Sequence, residues 1–150
     1  MLHVRNSFEF VMEAPVATVF PLFGANRERA WDSSWEPEFV YPSPAGDVAG
    51  AVFRVKHGHH DATWINTAFD QPQGHIQYVY FLPDVMVTLI DIRLTAIGPD
   101  RTQAGVVYER TAMRADANAA VAHRGEADGK MGPEWSAMIH AYLKKAEIRP

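Results

Sequence analysis

The chain has 150 residues, 47% of them apolar and 21% charged, and its eight Phe, five Tyr and four Trp set it far from the composition of a disordered chain. A net charge of −4, with no basic run longer than Lys144-Lys145, offers no stripe to neutralise a phosphate backbone and argues against a nucleic-acid partner. The absence of cysteine excludes disulfides, thiolate metal sites and a thiol nucleophile, and leaves His and carboxylates as the metal ligands available.

At this length one domain spanning residues 1–150 is expected, burying roughly 70% of its unfolded surface. The opening "MLHVRNSFEF" carries Arg5 and Glu9 and lacks the uninterrupted apolar stretch of a signal peptide. No later apolar run approaches the ~20 residues that span a bilayer, so a cytoplasmic protein without a transmembrane segment is expected.

Residues 4 to 12 alternate, with Val4, Asn6, Phe8, Phe10 and Met12 on one side, which predicts a half-buried strand. Pro15 suits the first turn of a helix, and Val16, Val19, Phe20 and Phe23 follow at helical spacing up to Gly24, with Pro21 predicting a short or kinked element. A second short helix is predicted over "NRERAWDSSW" with Asn26 as its cap. "EPEFVYPSPAGD" then breaks into extended and loop structure.

From about residue 51 to 113 the pattern is one of successive strands: "AVFRVKH", "ATWINTAF", "HIQYVYFL", "VMVTLIDIRLTAI" and "TQAGVVYERTAM". The short Gly-, Pro- and Asp-rich separators predict antiparallel hairpins rather than crossovers. From Asp116 an alanine-rich helix is predicted, interrupted at "GKMGP" (129 to 133) and resuming with Trp135, Met138, Ile139, Tyr142 and Leu143 on one face. The fold class is therefore α+β, a curved antiparallel sheet with one face against a long C-terminal helix and two short helices after the first strand.

With that order of elements, "EAPVATVFPLF" (13 to 23), "ERAWDSSWEPEFVYP" (28 to 42), "ATWINTAFDQPQGHIQYVYF" (62 to 81) and "VVYERTAM" (106 to 113) resemble the START-like, polyketide-cyclase-like (SRPBCC) superfamily of helix-grip proteins. The similarity is to its bacterial branch of mostly unassigned activity, and it covers nearly the whole chain. It implies a deep, largely apolar cavity between the sheet and the long helix, and no single reaction, because one such fold hosts transporters, cyclases, hydrolases and chaperone cofactors. The three glycines and Pro133 of "RGEADGKMGPEW" depart from the pattern and predict a bent or opened terminal helix.

"KHGHHDATW" (56 to 64) raises a metal question. His57 shares a strand phase with Phe53 and Val55 and should sit at the cavity rim, while His59 and His60 fall in the turn. His57, His59, His60 and Asp61 could supply ligands to a divalent ion, but the reading preferred is a solvated hairpin tip with one rim histidine and no metal. If residues 57 to 60 form the hairpin loop, Trp64 pairs near Phe53 and faces inward.

Trp35, Trp64 and Trp135 are candidates to line the cavity, as is Trp31, against the plainer role of core packing. Tyr78 and Tyr80 could fix a ligand's polar end. If Val106 is core, Tyr108 and Arg110 point the same way, and a guanidinium there would suit a carboxylate, enolate or phenolate, although Arg110 reaching out to solvent at the strand end is the preferred alternative. Asp91, Arg93 and Glu109 are expected in cross-strand charge pairs on the outer face. His75, His123 and His140 are isolated, Ser33 and Ser34 lack a base, and no nucleophile elbow, zinc helix, phosphate loop or dinucleotide fingerprint is present.

The candidate ligand-binding set is thus His57, Trp64, Tyr78, Tyr80, Tyr108, Arg110, Trp35 and Trp135, with no catalytic residue and no cofactor assigned. The leading expectation is a module that binds a small hydrophobic or aromatic, lipid-like or polyketide-like molecule. The alternative is a cyclase, dehydratase or hydrolase acting on a small polyketone in the same cavity. An interaction protein working through its surface is a third class, and a homodimer is compatible with any of them.

Overall fold

The alternation near the amino terminus and the hairpin-rich middle of the chain assemble into one seven-stranded antiparallel sheet. The computed structural model describes residues 1–148, and its strands are β1 (His3–Met12), β2 (Glu38–Tyr41), β3 (Val52–His57), β4 (His60–Asp70), β5 (His75–Leu82), β6 (Met86–Gly98) and β7 (Arg101–Ala112). Their order is β1-β7-β6-β5-β4-β3-β2. Each strand from β2 to β6 therefore pairs with its successor, and β1 closes onto β7 from the far end of the sequence. Register shifts in β2, β4 and β6 mark bulges that bend the sheet.

The period of two decides which face is core. Along β7, Thr102, Ala104, Val106, Tyr108, Arg110 and Ala112 are all buried, while the residues between them keep contact with solvent. β5 repeats the pattern with Ile76, Tyr78, Tyr80 and Leu82, and β6 with Met86, Thr88, Ile90, Ile92 and Leu94. Each apolar side chain buried in this way contributes roughly 1.5 to 3 kcal/mol.

After β1 come a single α-turn, α1 (Val16–Val19), and 3₁₀ turns at Phe20–Phe23 and Arg27–Ala30. Pro21 has no N–H to donate back into the helix, which is why the α-turn gives way after Val19. Asn26 does not cap the second turn, contrary to the sequence reading: it has helical φ and ψ and makes no capping bond. Asp47, from the loop after β2, takes that role by accepting from the backbone N–H of Asn26 at 2.7 Å and of Arg27 at 3.1 Å. Part of "EPEFVYPSPAGD", read as extended and loop structure, pairs with β3 as the edge strand β2.

The terminal helical region is split into α2 (Asn118–Asp128) and α3 (Gly132–Ile148), with the break where glycines and Pro133 predicted it. Both helices lie against β1. Trp135 of α3 meets Phe8 edge to face at 5.3 Å, and Val121 and Ile139 are fully buried. The outer-face charges pair across strands in two cases, Asp91 with His75 of β5 at 2.6 Å and Glu109 with His3 of β1 at 3.7 Å, while Arg93 departs from that scheme by binding Asp91 on its own strand at 3.3 Å. No helix among the described residues is long and apolar enough to cross a membrane.

Candidate functional site

Between the sheet and the helical segments lies a cavity of about 150 Å³. The sheet contributes Trp64, Tyr78, Ile90, Ile92 and Tyr108; the segment after α1 contributes Ala25, Glu28, Trp31, Asp32 and Trp35; Met131 and Trp135 close it from the terminal region. The deep cavity implied by the family resemblance is thus much reduced, because aromatic side chains fill most of the space. Trp35 stands edge-on to Trp64 at 5.3 Å, and Trp31 is tilted by 59° against Trp135 at 5.9 Å. Such pairs add about 0.5 to 1.5 kcal/mol beyond their buried area.

The polar tips of three lining rings are used up by the backbone of the short helical turns. Trp31 Nε1 donates to the Leu22 carbonyl at 2.7 Å, Trp35 Nε1 to that of Ala25 at 2.7 Å, and the Tyr78 hydroxyl to that of Phe23 at 2.8 Å. These bonds anchor the rings and leave their faces to the cavity. The Trp64 Nε1–H is buried without a partner among the described residues.

Sequence reasoning missed the two acids of the site, Glu28 and Asp32. With Trp31 and Trp35 they stand at i, i+3, i+4 and i+7 of "ERAWDSSW", a one-sided spacing that could have been read. Asp32 accepts from the backbone N–H and hydroxyl of Ser34 at 3.0 and 2.6 Å. The Glu28 carboxyl has no hydrogen-bond partner among the described residues. Burial pushes it up from 4.5 to about 8, reinforced by the nearby Asp32 and Asp47. Glu28 is half-buried and borders the cavity, and a value near 8 favours its protonated form at neutral pH. Burial also raises Tyr78, with Glu28 and Asp47 adding to the effect, and raises Tyr108, so both phenols keep their protons.

Of the residues singled out in the sequence, Trp35, Trp64, Tyr78, Tyr108 and Trp135 line this cavity, and His57, Tyr80 and Arg110 do not. Arg110 does not reach out to solvent, in contrast to the preferred reading. It is buried and bound bidentately by Asp128, with Nε to Oδ2 at 2.6 Å and Nη2 to Oδ1 at 2.8 Å. Its Nη1 donates to the Tyr80 hydroxyl and, at 3.0 Å, to Thr88. Its charge and donors are spent inside the protein, because the break after α2 brings Asp128 over β7.

Phe53 does pair with Trp64, the register expected of an inward Trp64, but the ladder runs on to His57 and His60, leaving only Gly58 and His59 in the turn. His57 stacks on Tyr80 at 5.2 Å, and Tyr80 in turn on Trp64 at 4.3 Å. Burial, followed by Arg124 and Arg110, lowers the His57 imidazole below its ordinary value, so it is neutral at neutral pH. Among the described residues no three His, Asp or Glu side chains converge as metal ligands.

No protein-family model and no curated protein matches the sequence. Solved structures do match, and they show the fold to be the helix-grip arrangement of START-like, Bet v1-like and polyketide-cyclase-like proteins. Norcoclaurine synthase from Thalictrum flavum, in complex with dopamine and hydroxybenzaldehyde, superimposes with a TM-score of 0.68 at 11% identity, covering 99% of this chain and 90% of the other. The Mll3558 protein from Rhizobium loti gives 0.64 at 16% identity over 94% and 97% of the two chains. CalU16 from Micromonospora echinospora gives 0.57 at 13% identity over 96% and 83%.

Proposed function

We propose that this protein binds a small, single-ring hydrophobic molecule in the cavity beneath Trp31 and Trp35. The observation that carries the reading is the cavity itself: about 150 Å³, walled by six Trp and Tyr side chains, with few polar groups converging on it. An apolar cavity of roughly this size in another protein accepts benzene, whereas drug-sized ligands need roughly 300 Å³ or more. Lipid-like molecules are therefore a poorer fit than one ring with short substituents. The Thalictrum flavum enzyme of the same fold holds dopamine and hydroxybenzaldehyde, each a single ring, which supports the size class by analogy.

Native mass spectrometry of the protein as purified, compared with its denatured mass and followed by titration with benzyl alcohol, tests the reading. A retained small organic adduct, or a one-to-one complex formed on titration, is the expected result. A bare protein that takes up no single-ring compound at millimolar concentration would remove it.

A second reading, a cyclase, dehydratase or hydrolase acting on a small ketone-like substrate, draws on one observation. The protonated Glu28 carboxyl and the Tyr108 hydroxyl both border the cavity, and each can donate a proton or hydrogen bond to a carbonyl oxygen. Turnover that survives Glu28→Gln together with Tyr108→Phe would remove those roles.

A further inference from the structure

The ionisable carboxyls at the cavity are both acids, one ionised and one protonated at neutral pH. Glu28 and Asp32 border it, and no Lys, Arg or His among the described residues lines it. The aromatic walls act in the same direction, because the face of an indole or phenol ring carries negative electrostatic potential and attracts cations. The positive N–H and O–H tips of Trp31, Trp35 and Tyr78 are turned onto the backbone carbonyls of Leu22, Ala25 and Phe23. Arg110 stands 5.3 Å from the Tyr108 ring, but Asp128 neutralises it at two points. The walls are inclined to one another, by 75° between Trp35 and Trp64 and 67° between Trp64 and Tyr78, which makes a box rather than a parallel stack.

We propose that the ligand is a small organic cation, an amine or quaternary ammonium no larger than about one ring, held against the Trp and Tyr faces with Asp32 as its counter-charge and Glu28 as a second one once the cation has displaced its proton. This deepens the reading of the cavity as a ligand site and rests on it. A carboxylate ligand, such as a fatty acid, meets the wrong field. The groups facing Glu28 are Asp32 on its own segment, Asp47 from the loop after β2, Tyr78 from β5 and Tyr108 from β7, while Arg27 and Arg29 act on Asp47. Burial and the two acids hold a proton on Glu28 at neutral pH, and a permanent cation in the cavity displaces that proton. Binding of such a cation is thereby coupled to proton release.

Three probes of nearly one shape separate charge from size: choline, the neutral 3,3-dimethylbutan-1-ol and the anionic 3,3-dimethylbutanoate, each titrated at fixed ionic strength with tryptophan fluorescence as the readout. Choline is expected to bind at least about tenfold more tightly than the alcohol, with the carboxylate weakest. Its affinity is expected to rise with pH between about 6 and 8, by at most about tenfold per unit, and to level off above. Glu28→Gln, which removes no hydrogen bond to a described residue, should flatten that profile. If the alcohol binds as tightly as choline, or the carboxylate more tightly, the cavity remains a ligand site and the charge preference is wrong. If none of the three binds and benzyl alcohol fails too, the ligand-site reading falls with it.

Discussion

Arg110 of β7 and Asp128 of the last turn of α2 form a buried two-point ion pair that ties the sheet to the break before α3. An acid is unfavourable at a helix C-terminus, where the macrodipole is negative, and Arg110 offsets that cost. The same guanidinium reaches Tyr80 and Thr88, so one side chain fixes the spacing between β5, β6, β7 and the helical region.

Removing one partner leaves an uncompensated buried charge. Asp128→Ala is expected to cost about 3 to 5 kcal/mol in urea unfolding. An apolar pair, Arg110→Met with Asp128→Leu, should recover most of the loss. A double variant as unstable as the single one would mean that geometry, rather than charge, dominates here.

Glu28 makes stability depend on pH in the sense opposite to a salt-bridged acid. Its carboxyl stands at about 8 in the folded chain against an ordinary 4.5, so the native state holds the proton more tightly. The resulting stability is complete below about 4.5, is lost as pH climbs towards about 8, and changes no further above that. The loss should be on the order of a few kcal/mol, reduced by whatever solvent reaches the carboxyl. Urea midpoints of the wild type should fall over this window relative to Glu28→Gln, and parallel curves would contradict the shift.

Two turn glycines separate conformational strain from overlap. Gly58 and Gly74 both have positive φ, at 63° and 62°. A Cβ at Gly58 meets no described atom within 4 Å, whereas at Gly74 it would overlap the Leu94 carbonyl oxygen. Gly58→Ala should cost about 1 kcal/mol, and Gly74→Ala at least about 2 kcal/mol, measured by chemical denaturation.

The fold was legible because its signals are local. Period-two runs, short turn-rich separators and the glycine-proline interruption at 129 to 133 each marked an element or its end. The Trp64 register was also within reach, since loop length fixes it. The polar logic of the site was not. Arg110 looked like a strand-end residue because its partner, Asp128, lies at the far end of α2, and nothing in sequence spacing joins the two. Glu28 sat in an exposed-looking "NRER" turn, and its burial depends on Trp31, Asp47 and the sheet meeting around it. The helix cap failed for the same reason: Asp47 is distant in sequence from the turn it caps.

The central claim, that a single-ring ligand enters the cavity bordered by Ile92, is tested most directly by fluorine NMR of 4-fluorobenzyl alcohol with the wild type and with Ile92→Phe, after circular dichroism has shown that the variant is folded. Saturable line broadening with the wild type, abolished when the added ring fills the space, is the expected result. Binding that is absent from the wild type, or unchanged in the filled variant, would contradict the claim.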